Sequence, residues 1–188
     1  MSADAEKIVS PELATGESLV WSGRPRTGIR LTRSDAVLIP FSLMWCGFAV
    51  FWEKSVLGVN APPFFPLWGA MFVVVGLYFV FGRFFADALR RGKTFYGLTP
   101  RRAIIVSGVF GRQVKSIDLA GLSGVTMSER ADRSGTISFG SPSGMNGWAA
   151  GMMGPSWPGA SRYLPPAFEM IEDAKTVYEK LHELRNTR

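Results

Sequence analysis

The chain reads as a hairpin of two membrane-spanning α-helices followed by a small antiparallel β-barrel or sandwich that a C-terminal α-helix closes. Three features predict this: a stretch between Asp35 and Arg83 whose only charged members are Glu53 and Lys54, a series of short strands with turn residues between them from Thr94 onward, and an amphipathic helical period at the end. Composition agrees. Of 188 residues, 47% are hydrophobic and 13% aromatic, but only 19% are charged, against about 25% in a typical soluble domain; mean hydropathy is +0.13. The division expected is a segment over 1–35, a hairpin over 36–82 and a β domain over 83–188.

The first span, Ala36 to Trp52, holds 17 uncharged residues, roughly 25 Å of helix and near the lower limit for crossing a bilayer. The second, Phe64 to Gly82, holds 19, roughly 28 Å. Asn60, Ala61, Pro62 and Pro63 between them are turn residues, and a short connection makes the two helices antiparallel. Arg24, Arg26, Arg30 and Arg33 precede the first span and Arg83, Arg90, Arg91 and Lys93 follow the second, whereas the connection carries only Lys54. Positive flanks stay on the cytoplasmic side, so both termini are expected there. A cleavable signal peptide is not expected, because the first 35 residues contain no apolar core ahead of a cleavage site. Ser42, Cys46 and Ala49 on one span, and Gly69 and Gly76 on the other, place small residues on one face each and predict the seam between the helices. With no ionisable group in either span as delimited, a pump or channel has no relay to use.

Beyond Arg83, strands are predicted at Thr94–Leu98, Ala103–Ser107, 112–119, Val125–Glu129 and 136–140, with turns at 99–102, 108–111, 121–124 and 132–135. Residues 141–160, rich in Gly, Met, Pro, Ser and Trp, predict a long loop. Phe168, Ile171, Ala174, Val177, Tyr178, Leu181 and Leu184 recur every three or four positions, which predicts a helix starting just after Pro165 and Pro166 and packing on the barrel. Lys175 and Glu179 fall on its polar side.

Chemistry is sparse. One Cys and one His exclude an intrachain disulfide and a Cys/His metal site. His182 sits in the last turns of the C-terminal helix, where the dipole favours a cation. Glu172 and Asp173 diverge on the predicted helix, Asp118, Glu129 and Asp132 belong to strand ends and turns, and 108–111 has neither the spacing nor the following helix of a phosphate-binding loop. No enzyme, cofactor, metal, small-molecule substrate or nucleic-acid partner is expected.

Charge is distributed unevenly. Residues 1–35 hold five basic and five acidic side chains, whereas 83–188 hold 15 and nine, so the net +6 arises there. Arg83, Arg90, Arg91, Lys93, Arg101, Arg102, Arg112 and Lys115 cluster near the exit of the second span. Such a cluster meets anionic headgroups at about 1 kcal/mol per residue, or contacts a protein partner, or does no more than set topology.

The order of motifs resembles the bacterial pleckstrin-homology-like membrane proteins. Gly16, Glu17, Trp21, Gly23 and Pro25 in LATGESLVWSGRP look like that family's opening motif. Tyr96, Gly97, Leu98, Thr99 and Arg102 in TFYGLTPRRAIIVSGVF look like its first hairpin, and Phe168 with Ile171 like the start of its closing helix. The resemblance implies a β domain of pleckstrin-homology type and a non-enzymatic role, as scaffold, accessory or assembly factor for a membrane complex. The alternative is an anionic-lipid-binding module.

Overall fold

The computed structural model describes residues 2–28, 35–59, 61–109, 111–122, 124–141 and 163–186. Two helices are long and apolar enough to cross a membrane. Helix α1 is Ala3–Val9 and strand β1 is Trp21–Gly23; α2 is Asp35–Gly58 and α3 is Phe64–Leu77. Helix α3 runs through a π turn at Tyr78–Gly82 into α4, Arg83–Gly92. The strands that follow are β2 (Thr94–Leu98), β3 (Arg102–Ser107), β4 (Gln113–Asp118), β5 (Val125–Glu129), β6 (Gly135–Phe139) and β7 (Ala167–Ile171), and helix α5 (Ala174–Asn186) ends the chain.

In the hairpin, small residues face inward and large apolar ones outward. Ser42 and Ala49 of α2 and Gly69 and Gly76 of α3 are buried, and a Cβ on Gly76 would stand 3.0 Å from Cys46 Cα, so the two helices meet along the predicted seam, with a close backbone approach at Gly76. Phe51 is 69% exposed and Leu67 74%. That surface suits hydrocarbon, since a water-soluble protein rarely leaves so extended an apolar surface uncovered.

The strands form two antiparallel sheets, ordered β1-β2-β3-β4 and β5-β6-β7. Strand β1 lies before the hairpin and β2 after it, yet they pair, with Trp21 opposite Leu98 and Gly23 opposite Tyr96; the apolar helical hairpin is the connection between two neighbouring strands. Between the sheets lies a core of Tyr96, Leu98, Ile105, Ile137, Phe139, Phe168 and Ile171, closed by Ala174, Val177 and Leu181 of α5. On the outer face of the first sheet Ile104 and Val106 are covered by Val9 of α1 with Ile8, Leu13 and Leu19. Gly97 makes room for this, because a Cβ there would meet Val9 Cγ1 at 2.5 Å. Ser2 N–H donates to Ser22 O at 3.3 Å and covers the free edge of β1. Arg26 N–H donates to Met170 O at 3.0 Å, which ties the first sheet to the second.

Four expectations need correction. The closing helix begins at Ala174, not after Pro166, and Phe168 and Ile171 belong to β7. Met170 and Asp173 have φ of 54° and 48°, and the β6–β7 register shifts between Gly135 and Ile137. The irregularity turns both Phe168 and Ile171 inward at a three-residue spacing, which in sequence imitates a helix. The first apolar helix extends to Gly58, so Glu53 and Lys54 are helical rather than part of the connection. The second continues past Arg83 to Gly92. Residues 1–35 are not a separate segment: as far as Gly28 they supply a helix and an edge strand to the β domain. The predicted loop over 141–160 lies, except for Ser141, outside the described residues.

Candidate functional site

Of the eight basic residues singled out from sequence, Arg83, Arg90, Arg91 and Lys93 lie on or just after α4, Arg112 and Lys115 on the β3–β4 turn and β4, and Arg101 and Arg102 at the β2–β3 turn, the end of β2 away from α4; the structure divides them into two groups. Five are held internally. Arg83 Nη1 is 2.9 Å from Asp35 Oδ1, with both side chains almost fully buried at the foot of the hairpin, and its guanidinium lies 4.6 Å over the Phe84 ring. Arg91, also buried, pairs with Asp87 at 2.8 Å and donates to the backbone oxygens of Arg26 at 3.3 Å and Gly28 at 2.8 Å. Arg90 bonds to Asp87 and, at 2.8 Å, to Glu169 of β7.

Arg102 grips Glu17 through Nε and Nη2, at 3.0 and 2.7 Å, and Thr99 donates its hydroxyl to the same carboxyl at 2.7 Å. These hydrogen bonds, led by that of Arg102, lower the Glu17 carboxyl to about 2 although burial works the other way. The two motifs that carry the family resemblance thus meet in space: Glu17 of the first joins Thr99 and Arg102 of the second. Arg112 pairs with Glu12 at 2.7 Å and donates to Ile8 O at 3.1 Å.

The other three, Lys93, Arg101 and Lys115, are exposed and have no ion-pair partner among the described residues. Lys115, Arg112 and Arg90 line a cavity of about 530 Å³ between the β3–β4 turn and the segment entering β7. Tyr96 and Ile105 also line it, with Pro165, Pro166 and Glu169 opposite. Tyr96 accepts a hydrogen bond from Glu169 N–H at 3.0 Å, and burial pushes its hydroxyl well above the usual tyrosine value. Lys115 sits opposite Ile105 on the edge strand β4, and an inward-pointing charge on an edge strand also discourages sheet-to-sheet association.

Sequence reasoning found the cations but missed the anions that hold them: Glu12, Glu17, Asp35, Asp87 and Glu169. The signal was the even count of basic and acidic residues over 1–35, where Glu12, Glu17 and Asp35 balance arginines on the far side of the hairpin. His182 packs on Tyr178 with ring centroids 4.5 Å apart. Among the described residues no group of His, Cys, Asp and Glu is placed to hold a metal ion.

Compared with protein-family models, curated proteins and solved structures, the chain finds no match.

Proposed function

We propose that this chain is a non-enzymatic, membrane-anchored protein with a β domain of pleckstrin-homology type, acting as a scaffold, accessory or assembly factor for a membrane protein complex. Sheets of four and three antiparallel strands with a C-terminal helix against the second support the domain type. One observation carries the role. Arg90 of α4 reaches the second sheet through Glu169, and Arg91 reaches the segment that follows β1 through the Arg26 and Gly28 carbonyls, so the β domain is held to the membrane helix as a fixed platform. A platform in fixed register with a bilayer suits the positioning of other proteins. Extraction of the full chain in mild detergent, with identification of copurifying membrane proteins, tests this; recovery of the chain alone would defeat it.

A second reading, binding of anionic lipid, is favoured by the cavity beside Lys115 and Arg112 and by Lys93 and Arg101, which have no ion-pair partner among the described residues. It predicts that Lys93→Gln, Arg101→Gln and Lys115→Gln together lower binding to vesicles containing phosphatidylglycerol, while Arg102→Gln acts by unfolding. The proposed setting is a bacterial cytoplasmic membrane with both termini inside. Impermeant thiol labelling of a Cys at position 60 but not position 4, in intact cells and a Cys46→Ser background, is the expected result; the reverse overturns the orientation.

A further inference from the structure

Among the described residues, Glu53 is the carboxylate with a buried side-chain oxygen that the fold leaves unsatisfied. Glu53 lies in α2, and its Oε2 is closed off with no hydrogen-bond partner among the described residues. It rests on Gly69 of α3: a Cβ at that position would collide with Oε2, and Trp52 Cδ1 stands 3.4 Å from the same point. Gly69 therefore makes the space that the carboxyl group enters. The side chain is partly exposed, which leaves its other oxygen open toward the outer surface of the hairpin.

Depth makes this arrangement unusual. The uncharged run from Phe64 to Gly82 is roughly 28 Å long, and a bilayer's hydrocarbon layer is about 30 Å thick. In a spanning hairpin the run fills that layer from end to end. Gly69 is five residues in from Phe64, roughly 8 Å inside the edge nearer the helix connection. Among the described residues no cation pairs with Glu53: α3 carries no charged residue, Lys54 is the next residue on α2 and turns about 100° away, and Arg83 is engaged with Asp35 at the opposite end. Ionisable side chains at such depth pair with one another or line a functional path.

We propose that Glu53, with the exposed Leu57 one turn further along α2 and the exposed Phe65 and Trp68 that precede Gly69 on α3, forms a contact surface for a membrane helix of another protein that carries a Lys or Arg at the level of Gly69. Charge complementarity selects this occupant, because an acyl chain covers the apolar residues but offers the carboxyl no donor. The inference rests on the scaffold reading and deepens it by naming the chemistry of the partner.

The test uses the full chain in its native membrane with a photo-crosslinking amino acid at Leu57. The expected crosslinked peptide is an apolar segment containing Lys or Arg. Recovery of that partner should fall at least tenfold with Glu53→Gln, stay unchanged with Glu179→Gln, and return when Glu53→Lys is combined with a Glu at the partner's basic position. Crosslinks to lipid alone, a partner segment without a basic residue, or recovery indifferent to Glu53→Gln would each overturn the proposal. Should Glu53→Gln open the hairpin, Phe65→Ala and Trp68→Ala decide, since both side chains are exposed on α3; undiminished crosslinking from position 57 with both overturns the surface. A partner that copurifies independently of Glu53 leaves the scaffold reading standing, whereas the absence of any protein partner sinks both.

Discussion

Arg102 Nη2 lies 2.7 Å from Glu17 Oε2, across 85 positions of sequence that include the whole membrane hairpin. The pair joins the segment before the hairpin to the strands after it, and so makes the β domain a discontinuous unit into which two long apolar helices are inserted.

Stability should depend on pH through this pair. The Glu17 carboxyl is lowered from 4.5 to about 2 in the folded chain, so its contribution is complete above the unfolded value and is lost as pH falls from about 4.5 toward 2. At pH 7, Glu17→Gln should cost about 1.5 to 3 kcal/mol, the range for hydrogen bonds to a charged group. Denaturant midpoints of both proteins, measured in detergent from pH 7 down to 2.5, should converge. A gap that stays constant would show that Glu17 is not the titrating group.

A chain in which residues 2–28 are joined by a short Gly/Ser linker to residues 90–186 should fold cooperatively without detergent. Gly28 O and Arg91 Nη2 are 2.8 Å apart, so the linker spans little distance. Residues 93–186 alone lack β1 and α1, uncover Ile104 and Val106, and should aggregate or unfold noncooperatively. Equal behaviour of the two chains would mean that the N-terminal segment contributes nothing to the domain.

Oxidation of Gly76→Cys should produce an intrachain disulfide with Cys46. A Cβ at position 76 would lie 3.1 Å from Cys46 Cβ, a few tenths of an ångström inside the range disulfides adopt, so a small relaxation suffices. A faster-migrating band on nonreducing gels is the readout, with Gly58→Cys, where an added Cβ meets nothing, as the negative control. Equal reactivity at both positions would exclude the seam.

Phe168→Ala should cost about 3 to 5 kcal/mol. The ring is fully buried and lies 4.8 Å from Tyr96, 4.9 Å from Phe139 and 5.6 Å from Trp21 between centroids. Glu179→Gln on the exposed side of α5 should change stability by under about 0.5 kcal/mol. Similar denaturant midpoints for the two variants would remove Phe168 from the core.

Much of the core was legible in sequence, because burial leaves a period. Phe168, Ile171, Ala174, Val177 and Leu181 were all picked out, and all are buried. Their element was misread at one end, since a left-handed Met170 inside β7 shifts the strand's alternation and copies helical spacing. Helix α1 and strand β1 went unseen for a different reason. They are too short for a period to declare itself, and only contacts made after the hairpin has returned the chain give them something to cover.

Composition and spacing by themselves determined the two apolar helices, their seam of small residues, the order of the five strands from β2 to β6 and the amphipathic end, because each depends on neighbours within a few residues or on the solvent a side chain tolerates. The partners of the charges were decided only by tertiary structure. A cluster of arginines reads the same in sequence whether it faces lipid or closes an ion pair, and what distinguishes Arg102 from Arg101 is the position of Glu17, which the chain reaches only by folding back across the membrane hairpin. Likewise Glu53 reads as a connection residue until α2 is seen to continue past it and Gly69 of the opposite helix is found against its carboxyl group, since distance through the fold, not along the chain, sets the environment of a charge.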